Sequence, residues 1–114
     1  MTNREEMIMF TGSSRIENCQ ISRTSLGYED CGVMTLMITV KGDGWGCGFG
    51  GYRMDGANGM ACVKDILETL KVGTYEDLKG QYVRVITEGI GGRCLAIGHL
   101  IEDRWFSFKQ FFGT

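Results

Sequence analysis

The chain has no proline, and a single histidine stands among its 114 residues. Without proline, every turn has to be built from Gly, Asn, Asp and Ser, and 18 glycines are present to build them. No apolar run approaches the roughly 18 residues that a membrane span needs, so no stretch is expected to cross or anchor in a bilayer. The five cysteines, Cys19, Cys31, Cys47, Cys62 and Cys94, contain no Cys-x-x-Cys pair. An odd, scattered set with no signal peptide before it reads as reduced thiols in a cytoplasm. Basic charge is not in excess either: 12 Lys+Arg face 14 Asp+Glu, for a net charge of −2. That balance disfavours duplex nucleic acid as a partner.

What is present is 43% apolar residues and an aromatic-rich C-terminus, enough for one compact domain over residues 1–114, with residues 1–12 as a candidate flexible start. The most unusual segment runs from Gly42 to Tyr52, where glycine falls on alternate positions and Trp45, Cys47 and Phe49 fill the gaps. In a strand, alternate residues face opposite sides. One face would then be bare backbone, open to a packed helix, a partner chain or a flat ligand.

The periodicity predicts an α+β fold: a mainly antiparallel sheet of about five strands with one main amphipathic helix and short helical turns. Strands are expected over 15–25, over 32–40 with Met34, Leu36, Ile38 and Val40 on one face, and over 45–53 after a hairpin turn at 41–44. Asn58 reads as the N-cap of a helix carrying Cys62, Val63, Ile66, Leu67 and Leu70, with Gly73 as its C′ residue. Thr74 to Asp77 reads as a capping box that opens one short turn. A hairpin over 81–101 follows, with Val83, Val85, Leu95, Ile97 and Leu100 as apolar positions. Ser107 then caps a short helix whose Phe108, Phe111 and Phe112 must pack on something.

Gly46-Cys47-Gly48-Phe49-Gly50-Gly51 matches the spacing of a dinucleotide fingerprint, but that loop has to open directly into a helix, and here the expected helix begins several residues later. Close packing explains the glycines better. Tyr28, Glu29 and Asp30 concentrate a phenol and two carboxylates in the turn before Cys31, as a solvated turn or a recognition surface. Adjacent carboxylates diverge and do not form an acid/base pair. His99 reads as a structural histidine. A zinc site of His99 with Cys31, Cys94 or Asp103, or a Cys/His nucleophile pair, would need ligands assembled by folding, because no local spacing supports either. Arg23, Arg53, Arg84, Arg93 and Arg104 serve solubility, or converge on a phosphate or carboxylate.

Four segments, Ile21 to Asp30 (ISRTSLGYED), Gly48 to Tyr52 (GFGGY), Ala96 to His99 and Asp103 to Phe106, resemble a family of small bacteriophage and prophage proteins over about Ile16 to Phe112. In that family His commonly stands where this chain has Cys31. The resemblance implies a phage accessory protein acting in the cytoplasm of a bacterial host. It suggests a non-enzymatic, anti-CRISPR-like inhibitor that binds a host defence protein without a cofactor. Tyr28, Glu29, Asp30, Trp45, Phe49, Tyr52 and Arg53 are the expected contact residues. An alternative is an oligomer, such as a homodimer, that sequesters a nucleotide signal in pockets lined by Tyr28, Trp45, Tyr52 and arginines. A Cys/His enzyme or a zinc protein is the third reading.

Overall fold

The computed structural model describes residues 15–29, 32–88 and 93–112, with only the backbone of residues 51 and 52. The expected flexible start, Asp30, Cys31 and most of the 88–92 turn therefore lie outside the described residues. Six strands are β1 (Arg15–Tyr28), β2 (Met34–Gly42), β3 (Trp45–Arg53), β4 (Tyr82–Thr87), β5 (Cys94–Gly98) and β6 (Trp105–Phe106). Among the described residues, two helices, α1 (Gly59–Leu70) and α2 (Phe108–Phe112), and a 3-10 turn (Glu76–Leu78) join them in an α+β fold.

The sheet order is β3-β2-β1-β4-β5-β6, with every neighbouring pair antiparallel. β1 organises it. Its first part, Arg15 to Gln20, pairs with β4, and its second, Gln20 to Tyr28, pairs with β2. Between them the register shifts at Ile21/Arg23, and the Ser22 hydroxyl donates to the Thr39 carbonyl at 3.3 Å. Such a bulge bends the strand and increases its twist. Past the bend, β1 has lost its β4 neighbour, and its backbone needs other partners. The connection before β4 supplies them: the Gly80 N–H donates to Ile21 O at 2.8 Å, Ile21 N–H to Gln81 O at 2.9 Å, and the Tyr75 hydroxyl to Ser25 O at 2.9 Å.

The bend curls the sheet around one core. Ile21, Leu36, Ile38, Val85 and Ile97 are fully buried there, with Cys62, Ile66 and Leu70 of α1, Leu78 of the 3-10 turn, and Phe106 and Phe108 from the C-terminus. The curl brings β3 against β5, where Cys47 and Cys94 form a disulfide with Cα atoms 6.5 Å apart. This corrects the expectation of reduced thiols throughout. The two cysteines lie 47 positions apart, and only the curl makes them neighbours. On the other side of the sheet a smaller cluster joins Ile86, Ala96 and Trp105.

The element boundaries correct several further expectations. β1 continues to Tyr28 because Gly27 and Tyr28 still pair with Thr35 and Met34. The last hairpin strand stops at Gly98, which leaves Leu100 40% exposed and not in the core. There the His99 ring turns the chain: its Nδ1 accepts from the N–H groups of Ile101 at 3.1 Å and Glu102 at 3.0 Å. The returning segment adds Trp105 and Phe106 as a sixth strand that the sequence did not announce. α1 starts after Asn58, whose side chain makes no cap hydrogen bond. The helix ends on Lys71 in the left-handed region (φ 57°, ψ 45°) and not on Gly73. The Val72 N–H reaches back to Leu67 O at 3.0 Å, the long bond of a Schellman ending. Ser107 does open α2, with its Oγ accepting from Gln110 N–H at 3.3 Å, and the Phe106 and Phe108 rings meet edge to face at 5.0 Å.

Candidate functional site

The glycine strand sorts its two faces as alternation requires. Phe49 is buried, and Trp45 and Cys47 pack half-buried against the same core. Gly46 and Gly48 face outward and are exposed. Trp45 and Phe49 therefore pack on the core side of β3. The surface they support is the opposite face. The nearest atoms a Cβ added at Gly48 would meet are Met37 Sδ at 3.4 Å, Ile38 O at 3.8 Å and Thr39 Oγ1 at 4.0 Å, ordinary contacts, so Gly48 forms an open floor beside Met37 and Thr39.

Register extends this floor across three strands. Gly48 pairs with Thr39, and Thr39 pairs with Arg23; in the neighbouring row Gly46 pairs with Lys41. Arg23 and Lys41 are both exposed. The result is a flat, uncharged centre with cations at its margin. The two-residue turn at 43–44 already implied these pairings, since a Gly42–Trp45 pair forces Val40 onto Cys47 and Thr39 onto Gly48. The sequence thus held the signal for Met37 and Thr39 as site residues.

Tyr28, Glu29 and Arg53 lie at one end of the β1–β3 sheet, but Tyr28 pairs with Met34 and so stands on the face opposite Gly46 and Gly48. Arg53 pairs with Thr35, and Thr35 with Gly27, so Arg53 and the turn stand about two strand spacings, roughly 10 Å, apart. Tyr28 is 73% exposed, and its turn is held by Gly32 N–H donating to Glu29 O at 2.8 Å and Glu29 N–H to Val33 O at 3.0 Å. Arg53 pairs with Asp55 at 3.3 Å on the surface. Trp45 lies at the opposite end of the strand. Asp30 and the Tyr52 side chain lie outside the described residues.

The remaining arginines do not converge on an anion. Arg84 donates to His99 O and Glu102 O, both at 2.9 Å, and lies over the Trp105 ring at 5.0 Å from its centroid. Arg104 donates to Glu68 O at 2.7 Å, joining the last turn to α1. Arg93 pairs with Glu88 at 3.0 Å. Among the described residues no group of three His, Cys, Asp or Glu side chains could hold a metal ion. Cys94, one of the ligands considered for zinc, is bonded to Cys47, and the His99 Nδ1 lone pair is occupied within its own turn.

Cys19 and Cys62 are buried free thiols. Burial pushes both up to about 12, with smaller contributions from Glu17 and Asp65 respectively. Burial also pushes the Tyr75 phenol to about 12, against the lowering effect of its bond to Ser25 O. All three groups stay neutral in the fold at a pH where the unfolded chain, with values near 8.5 for Cys and 10 for Tyr, begins to ionise. Their contribution is complete below about pH 8.5 and is lost as pH rises towards 12. Urea midpoints should fall over that range. At pH about 8, mass spectrometry should find Cys19 and Cys62 unmodified by iodoacetamide until urea is added; rapid native labelling of either would contradict this burial.

No protein-family model matches the chain, and neither the curated proteins nor the solved structures contain a match.

Proposed function

We propose that this chain is a non-enzymatic binding protein of the small phage-accessory type, which docks on a bacterial immune effector through the outer face of β1, β2 and β3. The observation that carries this reading is the exposed, side-chain-free floor at Gly46 and Gly48 on a strand whose large residues turn inward. A surface without side chains lets a partner approach to backbone contact at little desolvation cost. Arg23 and Lys41 at the margin, with Glu29 in the turn at one end, supply the polar rim that a specific interface uses. The immune effector as partner follows from the resemblance of the ISRTSLGYED and GFGGY segments to phage proteins, and the net charge of −2 suits a basic surface.

Gly48→Arg tests this directly, because the added side chain has room and fills the floor. Affinity for a panel of purified CRISPR nucleases and related effectors should fall by about tenfold or more, with the unfolding midpoint unchanged. Glu29→Arg with Asp30→Arg should weaken the same complex. Unaltered affinity in Gly48→Arg would place the contact elsewhere.

A second reading, an oligomer that sequesters a nucleotide signal, is favoured by strand order. β1 pairs with both β2 and β4, α1 joins β3 to β4, and β3 closes on a parallel β5. That is the connectivity of the OB barrel, whose strand 2–3 face binds oligonucleotides and oligosaccharides. The support is fold-level analogy. Native mass spectrometry separates the readings: a nucleotide-sized mass retained by the wild type and lost in Gly48→Arg favours the sequestering oligomer, and a bare chain favours protein docking.

A further inference from the structure

The four described cysteines fall into two kinds. Cys19 and Cys62 are sealed in the core, while Cys47 and Cys94 are half-buried and joined to each other. Cys47 lies on β3 between the core-side Trp45 and Phe49 and is half-buried. Cys94 opens β5 just after the 88–92 turn. β6 covers β5 only at Ile97 and Gly98, leaving the Cys94 end of that strand free to face β3. Among the described residues no strand ladder joins β3 to β5; in the sheet they are separated by β2, β1 and β4. The disulfide is thus the covalent closure of the barrel seam, and β3, the strand it fastens, carries the glycine floor.

From this placement we propose that Cys47 and Cys94 form a reversible redox latch. In the oxidised state β3 is fixed against β5 and the floor is ordered; in the reduced state the seam loosens and docking weakens. The last clause rests on the docking reading above. Ile38, Val40 and Phe49 also tie β2 and β3 to the interior. Closing the latch needs an oxidant, for which a small-molecule disulfide such as oxidised glutathione suffices. One cysteine thiolate attacks a glutathione sulfur, forming a mixed disulfide and releasing one glutathione thiolate. The second cysteine thiolate then displaces the other glutathione. Two protons leave the protein thiols and two electrons pass to the oxidant, which ends as two reduced glutathiones. A dithiol reductant reverses both steps. Disulfides that operate in reducing compartments are commonly of this transient, sensing kind.

The test equilibrates the full chain in glutathione buffers from reducing to oxidising poise. The bond is read by the mass of alkylated Cys47 and Cys94 peptides, and the seam by amide hydrogen exchange. Reduction should occur within the glutathione range and should accelerate exchange in β3 and β5 by about tenfold or more, leaving the β1–β4 ladder protected. The midpoint temperature should drop by roughly 10 °C. Cys47→Ser with Cys94→Ser should match the reduced wild type; if that variant fails to fold, the wild-type redox series still decides. A bond that persists at the most reducing poise, or seam exchange that is equal in both states, overturns the latch. A seam that opens on reduction while effector capture is unchanged leaves the latch standing and removes β3 from the docking surface.

Discussion

Replacing Gly50 with valine is expected to destabilise the protein by about 3–5 kcal/mol, a combination of backbone strain and overpacking. Gly50 sits at φ 128°, a conformation that β-branched residues do not adopt without strain. It also sits where β3 carries an extra residue, between the Thr35–Arg53 and Met37–Gly50 pairs. A Cβ there would overlap the Leu36 carbonyl, with Leu36 C at 2.9 Å and Met37 Cα at 3.1 Å. Those atoms belong to the backbone of β2, and Leu36 is fully buried, so they cannot yield as the end of a flexible side chain would. The loss would be a large part of the roughly 5–15 kcal/mol that holds a domain together. Gly48→Val, two residues earlier, meets only ordinary contacts and should change stability by less than about 0.5 kcal/mol. Urea unfolding followed by circular dichroism compares the two. Similar midpoints for both variants would mean that Gly50 does not have the geometry described.

Trp105→Ala should cost about 3–5 kcal/mol, as expected for removing a buried aromatic. The indole is 1% exposed although it lies on the outer side of the sheet with Ile86 and Ala96. It rests on Gly98, where a Cβ would come within 2.4 Å of the ring, and Arg84 covers it. Its Nε1 donates to Asp103 Oδ1 at 2.7 Å. One side chain therefore joins β6, β4, β5 and the 99–103 turn. Trp105→Phe should recover part of the loss, because it keeps ring area but not the Asp103 bond. Gly98→Ala should be damaging as well, since its methyl enters the ring. If Trp105→Ala unfolds at the wild-type urea concentration, β6 contributes nothing to the sheet.

Much of the local structure was legible because local chemistry decides it. The Met34 to Val40 alternation set the inward face of β2. The Cys62, Ile66, Leu70 spacing set the buried face of α1, and the β2–β3 hairpin was expected, though its turn closes at Gly42–Trp45 and not at 41–44. The failures occur where a distant partner outweighs local preference. Lys71 adopts a left-handed conformation, disfavoured for a side chain of its kind, while Gly73, the residue better suited to it, lies two positions further on. At that place Lys71 Nζ reaches the Glu102 carboxylate at 2.5 Å, and the hydrogen bond from Lys71, with its charge, holds that carboxyl below its ordinary range. Likewise Trp105 and Phe106 read as the approach to a helix. They become a strand because His99 turns the chain back along β5.

The sequence by itself determined an α+β chain with one bare strand face, a single amphipathic helix and a C-terminal aromatic segment that had to be buried. These follow from periodicity and side-chain area, which depend only on neighbours along the chain. Tertiary structure alone decided which glycine face meets solvent, that Trp45 and Phe49 serve the core, that Tyr28 and Arg53 share one end of the sheet, and that Cys47 meets Cys94. Each of these depends on how far β1 bends at Ser22 and therefore how far the sheet curls. That bend is set by contacts between residues dozens of positions apart, for which sequence spacing carries no local signal.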